Sequence, residues 1–254
     1  MRAPTLSDEQ WALLGEYRLQ KWDPSVTGGV EASRLLFEDG MMVRYLEERV
    51  ALTGADELRT AASLFMKRYA FIPALGMLAA TFWNRKLNLS PHNLILVDHI
   101  NEKGLWLPRI FLKDESAPEF TSQSEKEEFF QSLFRGHLDI VISVLNETAR
   151  LSKRILWENS AVYLFWVYEN EAFVTSEELR EKKERDFAYL LSEENRHVFG
   201  AYKENPLNRY YTDKVHRDGF DEKIRVRKTC CLSYRLENGE RFRCKTCPLS
   251  CKEK

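Results

Sequence analysis

Five cysteines, Cys230, Cys231, Cys244, Cys247 and Cys251, fall in the last 25 residues of a 254-residue chain, and the preceding 229 residues contain none. Thiolates are soft ligands, so a cluster of them points first to metal. A disulfide framework spreads over a small secreted chain and favours an even count. Here the count is odd, and Met1 to Trp11 lacks the apolar stretch of an export signal. The spacing is Cys-Cys, twelve residues (Leu232 to Arg243), then Cys-Lys-Thr-Cys. A structural zinc site draws on two Cys-x-x-Cys-like turns. Neighbouring strand residues point to opposite faces, so an adjacent pair fits poorly around one small ion. A binuclear iron–sulfur cluster presents two iron atoms to four thiolates and suits the spacing better. Zinc remains the alternative, and free thiols or a disulfide are the bland readings.

The elements that must position these thiols follow from the turn residues. Asn238-Gly239 is the strongest two-residue hairpin signal, because a type I′ turn needs positive φ at both positions. A ladder folded about it sets Cys230 opposite Cys247, Cys231 opposite Thr246 and Cys244 opposite Ser233. The Cys244–Pro248 stretch must then turn to bring Cys244 and Cys247 onto one centre. From Asp221 to Lys254 there are ten Lys or Arg and five Asp or Glu, a surplus of five positive charges. Arg227, Lys228 and Arg243 lie nearest the thiols in sequence. Such cations raise the potential of an anionic cluster and steer an anionic chelate or an acidic donor protein; the plain alternative is that they only solubilise the tail.

The rest of the chain reads as a helical body. Apolar residues make up 44% of the sequence, enough for a core, while 38 basic residues nearly cancel 39 acidic ones. That balance excludes a nucleic-acid-wrapping field. The longest apolar runs, Ala70 to Trp83 and Ala161 to Tyr168, fall short of the roughly 20 residues that span a bilayer. Ser7 with Gln10 predicts a capping box opening a first helix. Pro24 and Gly28-Gly29 break the pattern before a helical stretch from Glu31 to Leu52, interrupted near Gly40. Asp56 is placed to cap a third helix running towards Trp83, with Pro73 as a kink or boundary. Leu94–Val97 and Leu105–Leu112, separated by Asn101 to Gly104, read as a β-hairpin. Ser124 to Leu151 reads as a long amphipathic helix, Ser152 to Tyr168 as a nearly all-apolar central one, and Glu177 to Leu191 as a charged helix capped by Ser176. Asn205 to Asp221 reads as loop or linker.

Other candidates for chemistry are weaker. His99 beside Asp98, and His137 with Asp139, have no nucleophile placed with them, so structural roles are the simpler reading. Tyr210-Tyr211 with Arg209, Lys214 and His216 leads towards the cysteines and reads as loop packing with a ligand contact as the alternative. Tyr163, Phe165, Trp166 and Tyr168 read as core, though their polar tips can line a pocket. Arg180 to Asp186 is a solvated helix face.

Cys-Cys, then Tyr234-Arg235-Leu236, then Cys-x-x-Cys, preceded by Arg227-Lys228-Thr229, resembles the ferric siderophore reductases of the FhuF type. The interval between the cysteine pairs is two residues longer than the family's, which lengthens a hairpin without changing which thiols face each other. Cys251 has no counterpart in that motif. Leu156-Trp157-Glu158-Asn159 is similar to a Trp-x-Asn stretch of the same family. The resemblance implies a [2Fe–2S] cluster on Cys230, Cys231, Cys244 and Cys247. It also implies a relationship to the C-terminal part of aerobactin-type siderophore synthetases, but no G-x-G-x-x-G or Walker loop marks a nucleotide site.

The sequence therefore predicts an α+β protein: a mainly helical body with a small antiparallel β element over residues 1–220, and a C-terminal iron–sulfur cysteine hairpin over 221–254. The expected activity is one-electron reduction of siderophore-bound Fe(III) to Fe(II) in the cytoplasm. No catalytic residue is required beyond the cluster. With no nicotinamide or flavin motif, an external donor such as a ferredoxin is implied. No nucleic acid is expected as a partner, no transmembrane segment is seen, and peripheral membrane association stays open, as does oligomeric state. The rival readings are a zinc-stabilised binding module and an iron–sulfur redox sensor without turnover.

Overall fold

The computed structural model describes residues 4–217, 220–237 and 243–250. Ser7 forms the predicted capping box of α1 (Asp8–Glu16): its hydroxyl accepts the Gln10 N–H, and the Gln10 side chain accepts the Ser7 N–H. Gly40, at φ 72°, separates α2 (Ala32–Phe37) from α3 (Met41–Thr53), as its freedom of φ allows. The next apolar stretch is two helices, α4 (Leu58–Tyr69) and α5 (Phe71–Phe82). Pro73 lies in the first turn of α5, where its missing N–H has no helical partner to lose. Asp56 does not cap α4. Glu57 is the N-cap, and the Asp56 carboxylate instead accepts the Thr60 hydroxyl.

The predicted hairpin forms as β3 (Leu94–Val97) and β4 (Arg109–Leu112), antiparallel with Leu94 opposite Leu112. Two strands not read from the sequence complete it. β1 (Leu19–Lys21) adds parallel to β4 and β2 (Val30–Glu31) antiparallel to β3, giving a mixed sheet of order β1-β4-β3-β2. At three and two residues they are too short to show an alternation of their own.

α6 (Gln123–Leu133) and α7 (Asp139–Ala149) form the long amphipathic rod, joined through a π-helical turn at Phe134–Leu138. α8 (Lys153–Glu169), capped by Ser152, runs through the centre and packs against α4, α5, α7 and α9 (Glu177–Leu191). α5 is buried from Ile72 to Phe82, which is why its sequence is apolar all round. Among the described residues no helix is long and apolar enough to cross a membrane.

The regular ladder expected in the tail does not form among the described residues. Leu232 is left-handed, at φ 61°, and Ser233–Arg235 is a 3-10 turn. Leu236 bridges to Ala55, and the Glu237 N–H donates to the Gly54 carbonyl at 2.7 Å. This run thus pairs with the α3–α4 connection. The Asn238-Gly239 turn and Cys251 lie outside the described residues.

Candidate metal centre

Two helices of the body hold the segment that carries the first cysteine pair. Glu158 of α8 is 2% exposed and accepts the N–H groups of Lys228 and Thr229, each at 2.6 Å, as well as the Thr229 hydroxyl. Its neighbour Asn159 donates to the Ser63 hydroxyl at 2.9 Å and the Ser63 carbonyl at 3.1 Å, and accepts from Arg227 Nη2 at 2.5 Å. Arg227 Nε lies 3.7 Å from Glu158. Ser63, on α4, passes its own hydroxyl hydrogen to the Cys231 carbonyl at 2.7 Å. Buried polar groups are tolerated only with partners. A carboxylate, an amide and a hydroxyl thereby fix the backbone from Arg227 to Cys231.

One helical turn beyond Ser63, Lys67 reaches the thiols. Its Nζ stands 3.6 Å from Cys231 Sγ and 3.0 Å from Ser233 Oγ. The left-handed turn at Leu232 directs its N–H at Cys230 Sγ, 3.4 Å away. Arg235 pairs with Asp56 at 2.6 Å and with Glu57 at 2.5 Å, which ties the following turn to the start of α4.

The second pair closes as the sequence predicts: the Cys247 N–H donates to the Cys244 carbonyl at 2.9 Å. The Arg227 N–H donates to the Thr246 carbonyl at 3.0 Å and joins the two segments. All four described cysteines are free thiols, with Cys231 and Cys247 buried and Cys230 and Cys244 partly so. The sulfurs of Cys231 and Cys244 hydrogen-bond to each other, and Cys230 lies within electrostatic reach of Cys231 and Cys247. Among the described residues no three His, Cys, Asp or Glu side chains are gathered around a single ion.

The electrostatics favour the thiolate at Cys231. The hydrogen bond from Cys244 holds the Cys231 thiol far below its ordinary range, against the effect of burial, and Lys67 and Arg227 add to the pull. Cys244 is pushed up in return, first by that same bond and then by burial. Burial raises Cys230. Four thiols on two adjoining segments, with Lys67 and Arg227 acting on Cys231, are chemistry that suits a [2Fe–2S] cluster, whose net negative charge grows on reduction.

The three predicted steering cations separate. Arg227 is 6% exposed and faces the thiols and Glu158, so it acts inward and not on a partner in solution. Lys228 is exposed, and Arg243 is exposed with its guanidinium 6.0 Å from the Tyr234 ring. The weaker pairs dissolve. Asp98 takes Arg49 and Trp106, His137 meets Tyr69, and Asp139 takes the Tyr202 hydroxyl. In the aromatic stripe Phe165 and Tyr168 are core, whereas Tyr163 and Trp166 are half-buried. Ser63 and Lys67 gave no signal in the sequence. Glu158 and Asn159 were visible only through a family likeness.

A four-cysteine tail clamped by buried polar side chains onto a helical body is the arrangement of an iron–sulfur protein. Residues 63–219 match the family model described as ferric iron reductase FhuF-like transporter, and residues 227–249 match the FhuF 2Fe-2S C-terminal domain. The first match takes in more than half of the chain, and the chain belongs to the FhuF-like ferric iron reductase family. Its cofactor is a [2Fe–2S] cluster. No curated protein matches the chain.

Proposed function

We propose that this protein reduces ferric siderophores, with Cys230, Cys231, Cys244 and Cys247 as the cluster ligands. The observation that carries the reading is the hydrogen bond from the Arg227 N–H to the Thr246 carbonyl, which joins the two cysteine-bearing segments, with Lys67 reaching Cys231 beside them. When bound, the cluster supplies one electron to the substrate Fe(III), giving Fe(II), and is recharged by an external one-electron donor of the ferredoxin class. Siderophores grip Fe(III) through hard oxygen donors, and the less charged Fe(II) is held more loosely, so iron is released in the cytoplasm. No proton need move. The protein's part is to hold the thiols, offset their charge and fix them against the body. The tail, residues 221–254, is read as the electron-supplying module and residues 1–220 as the substrate-binding body.

The test is anaerobic purification followed by metal analysis and a visible spectrum. The dithionite-reduced protein is then mixed with a ferric siderophore and a ferrous-specific chelator. A brown protein that bleaches with dithionite and yields one ferrous ion per cluster supports the reading. A colourless zinc protein, or a cluster that transfers no electron to any ferric chelate, overturns it.

A further inference from the structure

Cations of the tail and of the body differ in whether the protein neutralises them. Lys214 and Arg225 share Glu169, Arg227 faces Glu158, and Lys245 pairs with Glu222. These four cations, with Lys223, line a cavity of about 210 Å³ that reaches Trp166. Two arginines of another kind stand nearer Phe71, whose ring is 6.5 Å from that of Trp166. Arg18, between α1 and β1, donates to the carbonyls of Pro108 (3.1 Å) and Arg68 (3.5 Å); Arg68, in the last turn of α4, donates to the Trp106 carbonyl at 3.1 Å. Both are half-buried, and among the described residues neither has a carboxylate partner. They are also neighbours, since the Arg18 guanidinium reaches the Arg68 backbone. Burial, and then the charge of Arg68, pull Arg18 down to about 10.

Holding two like charges close, out of full solvent and without counter-ions, opposes folding. Arg18 adds backbone cost, since its φ of 73° is left-handed. An aromatic run begins at Arg18. The Arg18 guanidinium lies 4.8 Å from the Phe71 ring, Phe71 lies 4.2 Å from Tyr163, and Tyr17 lies 4.8 Å from Trp166. Tyr17, Phe71, Tyr163 and Trp166 are all half-buried, so the aromatic stripe that α8 contributes to is only partly covered. Arg68 follows Lys67 on α4 and feels the charge of Cys231. The cluster's negative charge accounts for Arg68, but not for Arg18 further along.

We infer that the Tyr163–Trp166 stripe with Arg18 and Arg68 is the substrate seat, and that it takes a ferric chelate of net negative charge bearing carboxylate groups. Guanidinium matches carboxylate by paired hydrogen bonds and stacks on aromatic faces, and the rings take the chelate's organic frame. A chelate anchored there is held in part by α4, the helix whose Lys67 reaches Cys231. This assignment rests on the reductase reading for the identity of its ligand, and its test does not use turnover.

The test measures calorimetric binding of redox-inert gallium(III) chelates to the cluster-loaded full chain. One probe is a citrate-type carboxylate chelate and the other a neutral trihydroxamate chelate of similar size. Wild type should bind the anionic probe at least about tenfold more tightly, with the advantage shrinking in salt. Arg18→Gln should remove most of that advantage and leave the neutral chelate within about twofold, while Arg18→Lys should retain much of it. Arg68→Gln provides a second variant if the first is unstable, and the wild-type comparison requires no variant. Equal affinities for the two probes, no binding of the anionic one, or equal loss for both in Arg18→Gln would overturn the seat. Arg18-dependent gallium binding without reduction of the ferric counterpart leaves the seat standing and removes the reductase reading. Reduction without charge selectivity does the reverse.

Discussion

At the scale of single residues, Lys67 holds the most informative position. Its ammonium is 3.6 Å from the Cys231 sulfur, yet 164 residues separate them, so no spacing rule could join them. The cysteines were legible because metal chemistry demands a residue type that is otherwise absent here. A lysine in a helix, by contrast, looks the same whether it faces water or sulfur. Lys67→Met keeps the stem and removes the charge, so the reduced, more negative cluster loses more stabilisation than the oxidised one. The midpoint potential should fall; a differential of about 1 kcal/mol corresponds to roughly 40 mV for one electron. Spectroscopic redox titration reads this directly, and an unchanged potential would return Lys67 to a packing role. Replacing Cys230, Cys231, Cys244 or Cys247 by Ser should abolish or badly weaken the visible spectrum, since a hydroxyl is a poor ligand here. Cys251→Ser should leave it nearly unchanged.

Among the elements, helices with local signatures were legible. Ser7 with Gln10, Ser152, Ser176 and Gly40 mark ends through contacts made within a few residues, which a sequence displays. The tail was not legible for the opposite reason. Residues 232–237 have the chemistry of a strand, but α4 and the α3–α4 connection compete for them. Arg235 is taken by Asp56 and Glu57, and Glu237 by Gly54, and no regular ladder forms among the described residues. Gly54 is fitted to this: it is left-handed at φ 62°, and a Cβ there would stand 2.5 Å from that of Glu237. On α8, Glu158 balances the buried Arg227 and accepts from two backbone N–H groups. Glu158→Ala leaves that guanidinium without its counter-charge, a loss of about 3–5 kcal/mol for a buried pair. The expected result is accelerated bleaching of the cluster with helical circular dichroism retained. A variant that holds its cluster as long as wild type would show that the anchor is dispensable.

The whole molecule joins an apolar body to a tail through a polar seam of Ser63, Lys67, Glu158, Asn159, Asp56 and Glu57. Water can replace the tail along such a seam, so a chain ending at Phe220 should fold, with full helical signal and a lower melting temperature. The body itself should carry an acid-sensitive element. His137 sits in the π-helical turn, 3% exposed, its ring N–H directed at the Leu89 carbonyl and its Nε2 2.6 Å from the Tyr69 hydroxyl. Burial pulls it down from 6.5 to about 4. The folded state therefore keeps the ring neutral where the unfolded chain protonates it. Stability from this group is full above pH 6.5 and falls as the pH drops towards 4, by an amount on the order of 3 kcal/mol in total. His137→Gln retains an acceptor for Tyr69 and a donor for Leu89 without the titration. Chemical denaturation at pH 7 and pH 5 should show wild type losing about 2 kcal/mol more than the variant across that interval. Parallel losses in the two proteins would mean that His137 is solvated or paired on protonation, and that other groups set the acid response.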